Sequence, residues 1–447
     1  MTTQSLSVSK PRHISPARLL FGLWHHPLAL LTDMATINDQ IAHIRVADGD
    51  LFLINHPQLA RELLVTQHRC FVKGRALQRA RRVLGDGLLT SEGALHLRQR
   101  RMLQPAFHRA RVAGYGTTMA EYTARHSAGW QHGATCEITR EMANLTLAIA
   151  GKTMFDADVT ADAAIVGAAL GDLMALFNLL TMPFSDLILR LPIPAAIRLR
   201  QAEQRLDTVI ARLITERLAS GDHGDILSML LFSADEQGQA MSIEQVRDEA
   251  LTLFLAGHET TANALSWTWW LLANNPGAEA QMHAEIDALG HMPTADDMPR
   301  LPYTRAVLSE AMRLFPPAWA IGRTAIEATE IGGMPIPIGA TVLVSPYLMH
   351  RDPRFFAQPQ SFDPSRWLTD QQQHTKHAYM PFGAGPRMCI GESFAWMEGV
   401  LILAVIAQRW RLRAIPGQVA IPQPSVTLRI RGGLRMSIEA RTTELRN

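Results

Sequence analysis

A mainly α fold with a minor β region is what this sequence predicts, and three observations carry the prediction. Apolar residues recur at helical spacing through most of the stretch from about Ser91 to Met241. A Ser-Ile-Glu-Gln capping pattern at Ser242 then opens another apolar-periodic run that lasts until Pro276. Short alternating segments occur only near the start of the chain and in its second half.

Taken in order, residues 1–40 read as an irregular lead-in. The apolar run Leu19–Trp24 stops at His25-His26-Pro27, short of a membrane span and without the cleavage site of a signal peptide. A contact between Leu19–Trp24 and a membrane surface is the alternative to a plain lead-in. Ile44–Val46 and Leu51–Ile54 flank Asp48-Gly49-Asp50 as a hairpin. The helical stretch breaks at Gly133, Pro183, Pro192 with Pro194, and Gly221–Gly224. The helix opened by Ser242 is about thirty residues and so roughly 45 Å long. Another runs from Tyr303 to Phe315, where Pro316-Pro317 stops it. Strands follow at Ile321–Ala325 and Thr341–Ser345, with turns at Gly332-Gly333 and Pro337–Gly339. An irregular segment, Asp352 to Met380, leads to a glycine-rich turn, a helix through about Arg409, and a last hairpin of Val426–Ile430 with Leu434–Ile438. With no repeat, low-complexity tract or linker, a single domain over 1–447 is expected.

Composition narrows the class. An apolar content of 47% with 19% charged residues describes a soluble globular protein, and a net charge of +2 argues against nucleic acid as the main partner. The three cysteines, Cys70, Cys136 and Cys389, are odd in number and far apart, which fits a reducing compartment and a cytoplasmic location.

The stretch Phe382-Gly383-Ala384-Gly385-Pro386-Arg387-Met388-Cys389-Ile390-Gly391 sets one cysteine behind a turn that two glycines can bend. A helix N-terminus just beyond it favours thiolate, the form that binds metal. Cys389 alone reads rather as a buried structural cysteine, since free cysteines are among the most buried residues. The whole run Phe-x-x-Gly-x-Arg-x-Cys-x-Gly resembles the cysteine-ligand loop of the cytochrome P450 superfamily. That resemblance extends from about Ile44 to the C-terminus. It implies the P450 fold, with haem between a long central helix and the cysteine loop and its helix. It also implies heme b with Cys389 as thiolate ligand to the iron. Phe382, Gly383 and Gly391 would then lie against the haem, and Arg387 would pair with a propionate.

In the middle of the long helix, Ala256-Gly257-His258-Glu259-Thr260-Thr261 interrupts an apolar run. Gly257 costs about 1 kcal/mol against Ala inside a helix, so it asks for a reason: close approach to a flat ligand, or a local widening held by a Thr hydroxyl. Without further context Glu259 and Thr260 read as a satisfied polar face. With the cysteine loop they resemble the family's oxygen-activating motif, with Thr260 holding dioxygen and water in a hydrogen-bond chain and Glu259 relaying protons. His258 has no counterpart role and reads as structural.

Glu310 and Arg313, at i,i+3, share a helix face; together with Arg366 they resemble the family's buried ion pair, which holds the cysteine loop, and His350-Arg351-Asp352-Pro353 fits the same pattern. His96 with Arg100 (i,i+4) and Arg323 resemble propionate-binding positions. A tryptophan found in some members is His96 here. Arg98, Arg101, Arg109 and Arg111 read either as a docking patch for an acidic electron carrier or as a solvated face.

These readings combine into a soluble, bacterial-type monomeric monooxygenase with no membrane span. It inserts one atom of O2 into an apolar terpenoid, fatty acid or polyketide-like molecule, with electrons from a separate ferredoxin or flavodoxin and its reductase. By resemblance the pocket is roofed by Arg75–Leu89 and by Asp172–Leu191, which carries Met174, Phe177, Met182 and Phe184, with Ala318, Trp319 and Ala320 near the haem edge. No polar anchor for a carboxylate stands out; Arg75 or Arg79 is the alternative. A peroxygenase or isomerase without a redox partner is the first alternative, and the Glu259-Thr260 pair speaks against it. A non-catalytic haem-binding sensor is the second, for which a proton-relay motif has no use.

Overall fold

The computed structural model describes residues 12–13, 22, 25–46, 49–157, 163–181, 191–368 and 377–441. They gather into two compact units. The first comprises the described parts of Met1–Arg79, Ala318–Ser361 and Gln371–Cys389, and the second those of Ala80–Pro317, Phe362–Asp370 and Ile390–Asn447.

The first unit is built on a six-stranded sheet in the order Arg12–His13, Ile41–Val46, Gly49–Ile54, Thr341–Val344, Ile321–Ala325, Phe71–Lys73. Its hairpin closes with Val46 opposite Gly49, Gly49–Ile54 then runs parallel to Thr341–Val344, and Lys73 faces Arg323 across an antiparallel pair. The lead-in is not irregular throughout. Pro27–Ala35 is a helix that buries Leu30, Leu31 and Met34 against Ala42, Ile44, Leu51 and Leu53. Each of these contacts is worth up to about 2 kcal/mol. Pro27 starts the helix rather than blocking it, because a first-turn residue has no intrahelical use for its N–H. Of Leu19–Trp24 only Gly22 is described, so the membrane-contact reading lies outside the described residues.

The second unit centres on the helix Ile243–Ala273, capped as its sequence implies. Ser242 Oγ accepts from Gln245 N–H and Gln245 Oε1 accepts from Ser242 N–H, each at 3.2 Å. From Glu249 to Leu272 every residue is buried except Ala256, Gly257, Thr260 and Trp270. A helix apolar on nearly all faces must be enclosed by other elements. Helix Ile138–Phe155 packs along it, with Phe155 stacked on Phe254 at 4.2 Å. Helix Pro302–Leu314 and helix Glu392–Arg409 also belong to this unit. The helical stretch is interrupted at Thr135–Glu137, which joins Arg435–Ala440 and Trp410–Ala414 in a three-stranded sheet. The expected last hairpin does not form as drawn. Leu428–Ile430 pairs back onto Pro422–Pro424, while Arg435–Ala440 pairs with Trp410–Ala414. Among the described residues no helix is long and apolar enough to cross a membrane.

Candidate active site

In the first unit, the loop before Cys389 is closed by backbone bonds from Gly383 N–H to Met380 C=O (3.0 Å), Met388 N–H to Gly385 C=O (2.9 Å) and Cys389 N–H to Phe382 C=O (3.0 Å). Gly383 and Gly385 take φ of 75° and 73°, a region that side chains with a Cβ resist. At Gly385 the constraint is also one of space, since a Cβ there would stand 2.1 Å from the Leu64 carbonyl oxygen. Fully buried His350 anchors the upstream end, its Nε2 accepting from Met380 N–H at 2.9 Å. A backbone N–H can only donate, so Nε2 carries no proton. Of the three cysteines, Cys389 is exposed, whereas burial pushes the Cys136 thiol up to about 12 and keeps it inert.

Gly383 lies over the strand carrying Arg323, with Ile321 Cδ1 3.8 Å from where its Cβ would be. Arg323 stands across from Lys73, a cation only 7% exposed. Cross-strand partners share a face of the sheet, so these two cations project to the same side. Lys73 was not among the residues singled out from the sequence; its signal there was only a lysine closing the short strand Phe71–Lys73. Arg387 is half-buried in the single turn Gly385–Arg387.

In the second unit, Ala256, Gly257 and Thr260 form the opening on the long helix, sharing one face at i, i+1 and i+4. Thr260 Oγ1 donates to Ala256 C=O at 2.8 Å, and the helix is α throughout, so there is no local widening. Gly257 has another reason to lack a side chain: a Cβ would meet Met154 Cε at 3.0 Å and Ala150 Cβ at 3.8 Å. The glycine lets two helices pack closely. His258 is buried, its Nδ1 3.2 Å from Phe254 C=O and its own carbonyl accepting from Thr146 Oγ1 at 3.0 Å. Burial lowers its pKa and keeps it neutral.

Glu259, 6% exposed, is not bare. Its Oε1 accepts from Arg429 Nε at 2.8 Å and from Thr427 Oγ1. The sequence reading found neither partner. Its one available signal was Arg429 itself, a charged residue between the apolar strand residues Leu428 and Ile430.

The ion-pair residues meet as expected and gain members. Fully buried Glu310 takes two bonds from Arg313, Nε to Oε2 and Nη2 to Oε1, both at 2.8 Å. It also accepts from Arg366 Nε (2.9 Å), Trp367 Nε1 (2.9 Å) and Asp363 N–H (3.0 Å). A fully desolvated carboxylate needs such saturation. The network locks the segment around Pro364–Trp367 to helix Pro302–Leu314.

His96 and Arg100 sit one turn apart on helix Gly93–Leu103, His96 buried and Arg100 half-buried. Gly391 is the N-cap of helix Glu392–Arg409, its carbonyl accepting from Ala395 N–H at 2.9 Å. Arg98 is tied to Asp235 at 2.5 Å, Arg101 lies 3.8 Å from Glu236, and Arg111 donates to Gly224 C=O. The basic patch is therefore partly neutralised within the chain. Of the residues expected over the pocket, Arg75–Leu84 is a helix whose Arg75 donates to Gly339 C=O at 3.1 Å, Met174 and Phe177 fall in helix Ala163–Thr181, and Met182 and Phe184 lie outside the described residues.

Residues 17–433 match the family model described as "Cytochrome P450". The chain is 41% identical over 422 residues to a cyclooctatin synthase of Streptomyces melanosporofaciens, covering 93% of this chain and 92% of that one. It is 38% identical to a cyclooctat-9-en-7-ol 5-monooxygenase of the same organism, covering 89% and 87%. With a pentalenene oxygenase of Streptomyces avermitilis it shares 33% identity over 94% of each chain. A crystal structure of a cytochrome P450DA heme domain superposes with a TM-score of 0.84 at 28% identity, covering 94% of this chain and 95% of that one.

Proposed function

Because the chain belongs to the cytochrome P450 family, and is a monooxygenase with a haem held by cysteine thiolate, we propose that Cys389 is that thiolate and that its substrate is a cyclic terpenoid. The cyclooctat-9-en-7-ol 5-monooxygenase and pentalenene oxygenase among its relatives, with the cyclooctatin synthase beside them, support the substrate class. In this reading the cofactor is heme b, and the whole chain acts as one catalytic domain, a soluble cytoplasmic monomer. The haem supplies the centre at which O2 is reduced and split, so that RH, O2, two electrons and two protons give ROH and water. Electrons come from a separate ferredoxin or flavodoxin with its reductase.

The observation that carries this reading is the strip Ala256, Gly257 and Thr260, the break, Trp270 apart, in the buried stretch 249–272 of the long helix, with Glu259 beside it. A flat group fits against an alanine methyl and one hydroxyl. Thr260 would hold O2 and water at its hydroxyl, and Glu259 would pass protons to them. The Gly383–Cys389 turn would present the sulfur, with Phe382 and Gly391 flanking the ring. Arg323 and Arg387, together with His96 and Arg100, would hold the propionates, and Lys73 beside Arg323 adds to that set.

The test is to reconstitute the enzyme with a ferredoxin and its reductase. Cyclic sesquiterpene and diterpene hydrocarbons and alcohols are then offered against fatty acids of similar carbon number. The reading predicts a substrate-induced Soret shift and a product heavier by one oxygen atom for a terpenoid. Turnover of fatty acids alone would overturn the substrate class.

A further inference from the structure

The C-terminal hairpin is stitched to the long helix along one stripe. Glu259, Asn263 and Trp267 stand at successive four-residue intervals, hence on one face. Trp267 Nε1 donates to Leu428 C=O at 3.1 Å, and Asn263 Nδ2 donates to Thr427 Oγ1 at 3.1 Å. Thr427 Oγ1 in turn donates to Glu259 Oε1, where Arg429 Nε also arrives at 2.8 Å. Asn263, Thr427 and Glu259 are 8%, 7% and 6% exposed, so little water competes for these bonds.

The chain of donors has a direction. Because the Asn263 amide fills an acceptor position on Thr427 Oγ1, the Thr427 hydrogen is aimed at Glu259. Both donors converge on Oε1, and among the described residues no hydrogen bond reaches Oε2. A carboxylate fixed through one oxygen presents the other in a constant place.

We propose that Thr427 and Arg429 are positioning residues for proton delivery, tying Oε1 of Glu259 so that Oε2 takes up the proton and passes it on. The proposal rests on the relay reading of Glu259 given above. Its chemistry separates two routes to the same product. With external electrons, RH, O2, two electrons and two protons give ROH and water, so protons must be delivered. With peroxide, RH and H2O2 give ROH and water, and the oxidant brings its own protons. Loosening Glu259 should therefore damage the first route far more than the second.

The experiment compares Arg429→Gln, Thr427→Val, Arg429→Lys and Glu259→Gln with the unaltered holoenzyme. Product per electron pair should fall at least fivefold in Arg429→Gln and Thr427→Val, with a loss at least threefold smaller when peroxide drives the reaction. Arg429→Lys should recover at least half of the lost coupling. Independently of turnover, the Arg429 Nε–H resonance in 15N-labelled protein, assigned by its absence in Arg429→Lys, should move in Glu259→Gln and in Thr427→Val. Equal losses by both routes, or an Arg429 resonance indifferent to Glu259→Gln, would overturn the proposal. If Glu259→Gln lowers coupling while Arg429→Gln and Thr427→Val do not, the positioning role fails and the relay stands. If Glu259→Gln stays fully coupled, the relay reading itself fails and the proposal falls with it.

Discussion

Replacing Glu398 by glutamine should change how stability depends on pH. Glu398 sits in helix Glu392–Arg409, fully buried, and among the described residues neither carboxylate oxygen has a partner in full hydrogen-bond geometry. Burial pushes its pKa from the ordinary 4.5 up to about 8, with the nearby Thr261 hydroxyl acting in the opposite direction. The folded protein thus keeps a proton that the unfolded chain releases above 4.5. Stability must fall as pH rises through that window, by about 1.4 kcal/mol per unit, and level off once Glu398 ionises near 8. Over the whole window the loss approaches about 5 kcal/mol, a third or more of a typical folding free energy. Glutamine keeps the shape and has no proton to lose. The stability of Glu398→Gln relative to the unaltered protein should therefore grow by about 2.7 kcal/mol between about pH 5.5 and about pH 7.5. Urea unfolding followed by the fluorescence of buried Trp267 and Trp269 reads this difference. A difference that stays flat with pH, or shrinks as pH rises, refutes the reasoning.

Two other substitutions probe the cysteine loop and the ion network. Gly385→Ala would place a methyl 2.1 Å from the Leu64 carbonyl oxygen at a φ of 73°, so the loop must shift. The Soret absorbance per mole of protein should drop by more than half while far-UV circular dichroism keeps its helical signal. Glu310→Ala leaves Arg313 buried without its carboxylate, at a cost of about 3–5 kcal/mol, and thermal denaturation should show the midpoint falling by several degrees or more.

What the sequence made legible was local. The capping box at Ser242 names its own partner three residues on, and the strand Ile321–Ala325 falls between the helix-stopping Pro316-Pro317 and the turn at Gly332-Gly333, so both stand where the pattern puts them. The final hairpin failed because strand pairing is a choice of distant partner. Gly432 and Gly433, with φ of 73° and 79°, look like a hairpin turn, yet they carry the chain from one sheet to another. The irregular lead-in failed for a different reason, since a proline that ends a helix from inside also begins one at its first turn, as Pro27 does. In the candidate site, residues close in sequence were readable as a group: the Phe382–Cys389 loop, Glu259 with Thr260, and Glu310 with Arg313. The partners that complete them were not. Thr427 and Arg429 reach Glu259 across 168 and 170 residues, Trp367 joins Glu310 across 57, and Lys73 meets Arg323 only through strand register. Alternating apolar residues fix which way a strand faces, but they do not say which carboxylate an intervening arginine will find.

The central claim, that Cys389 binds the haem iron as thiolate, is tested most directly by the absorption spectrum of the purified protein reduced with dithionite under carbon monoxide. The account predicts the strongly red-shifted Soret band of a thiolate-ligated carbonyl haem, and its loss in Cys389→Ser. A band at the position typical of histidine-ligated haem, or a red-shifted band that survives Cys389→Ser, would contradict it.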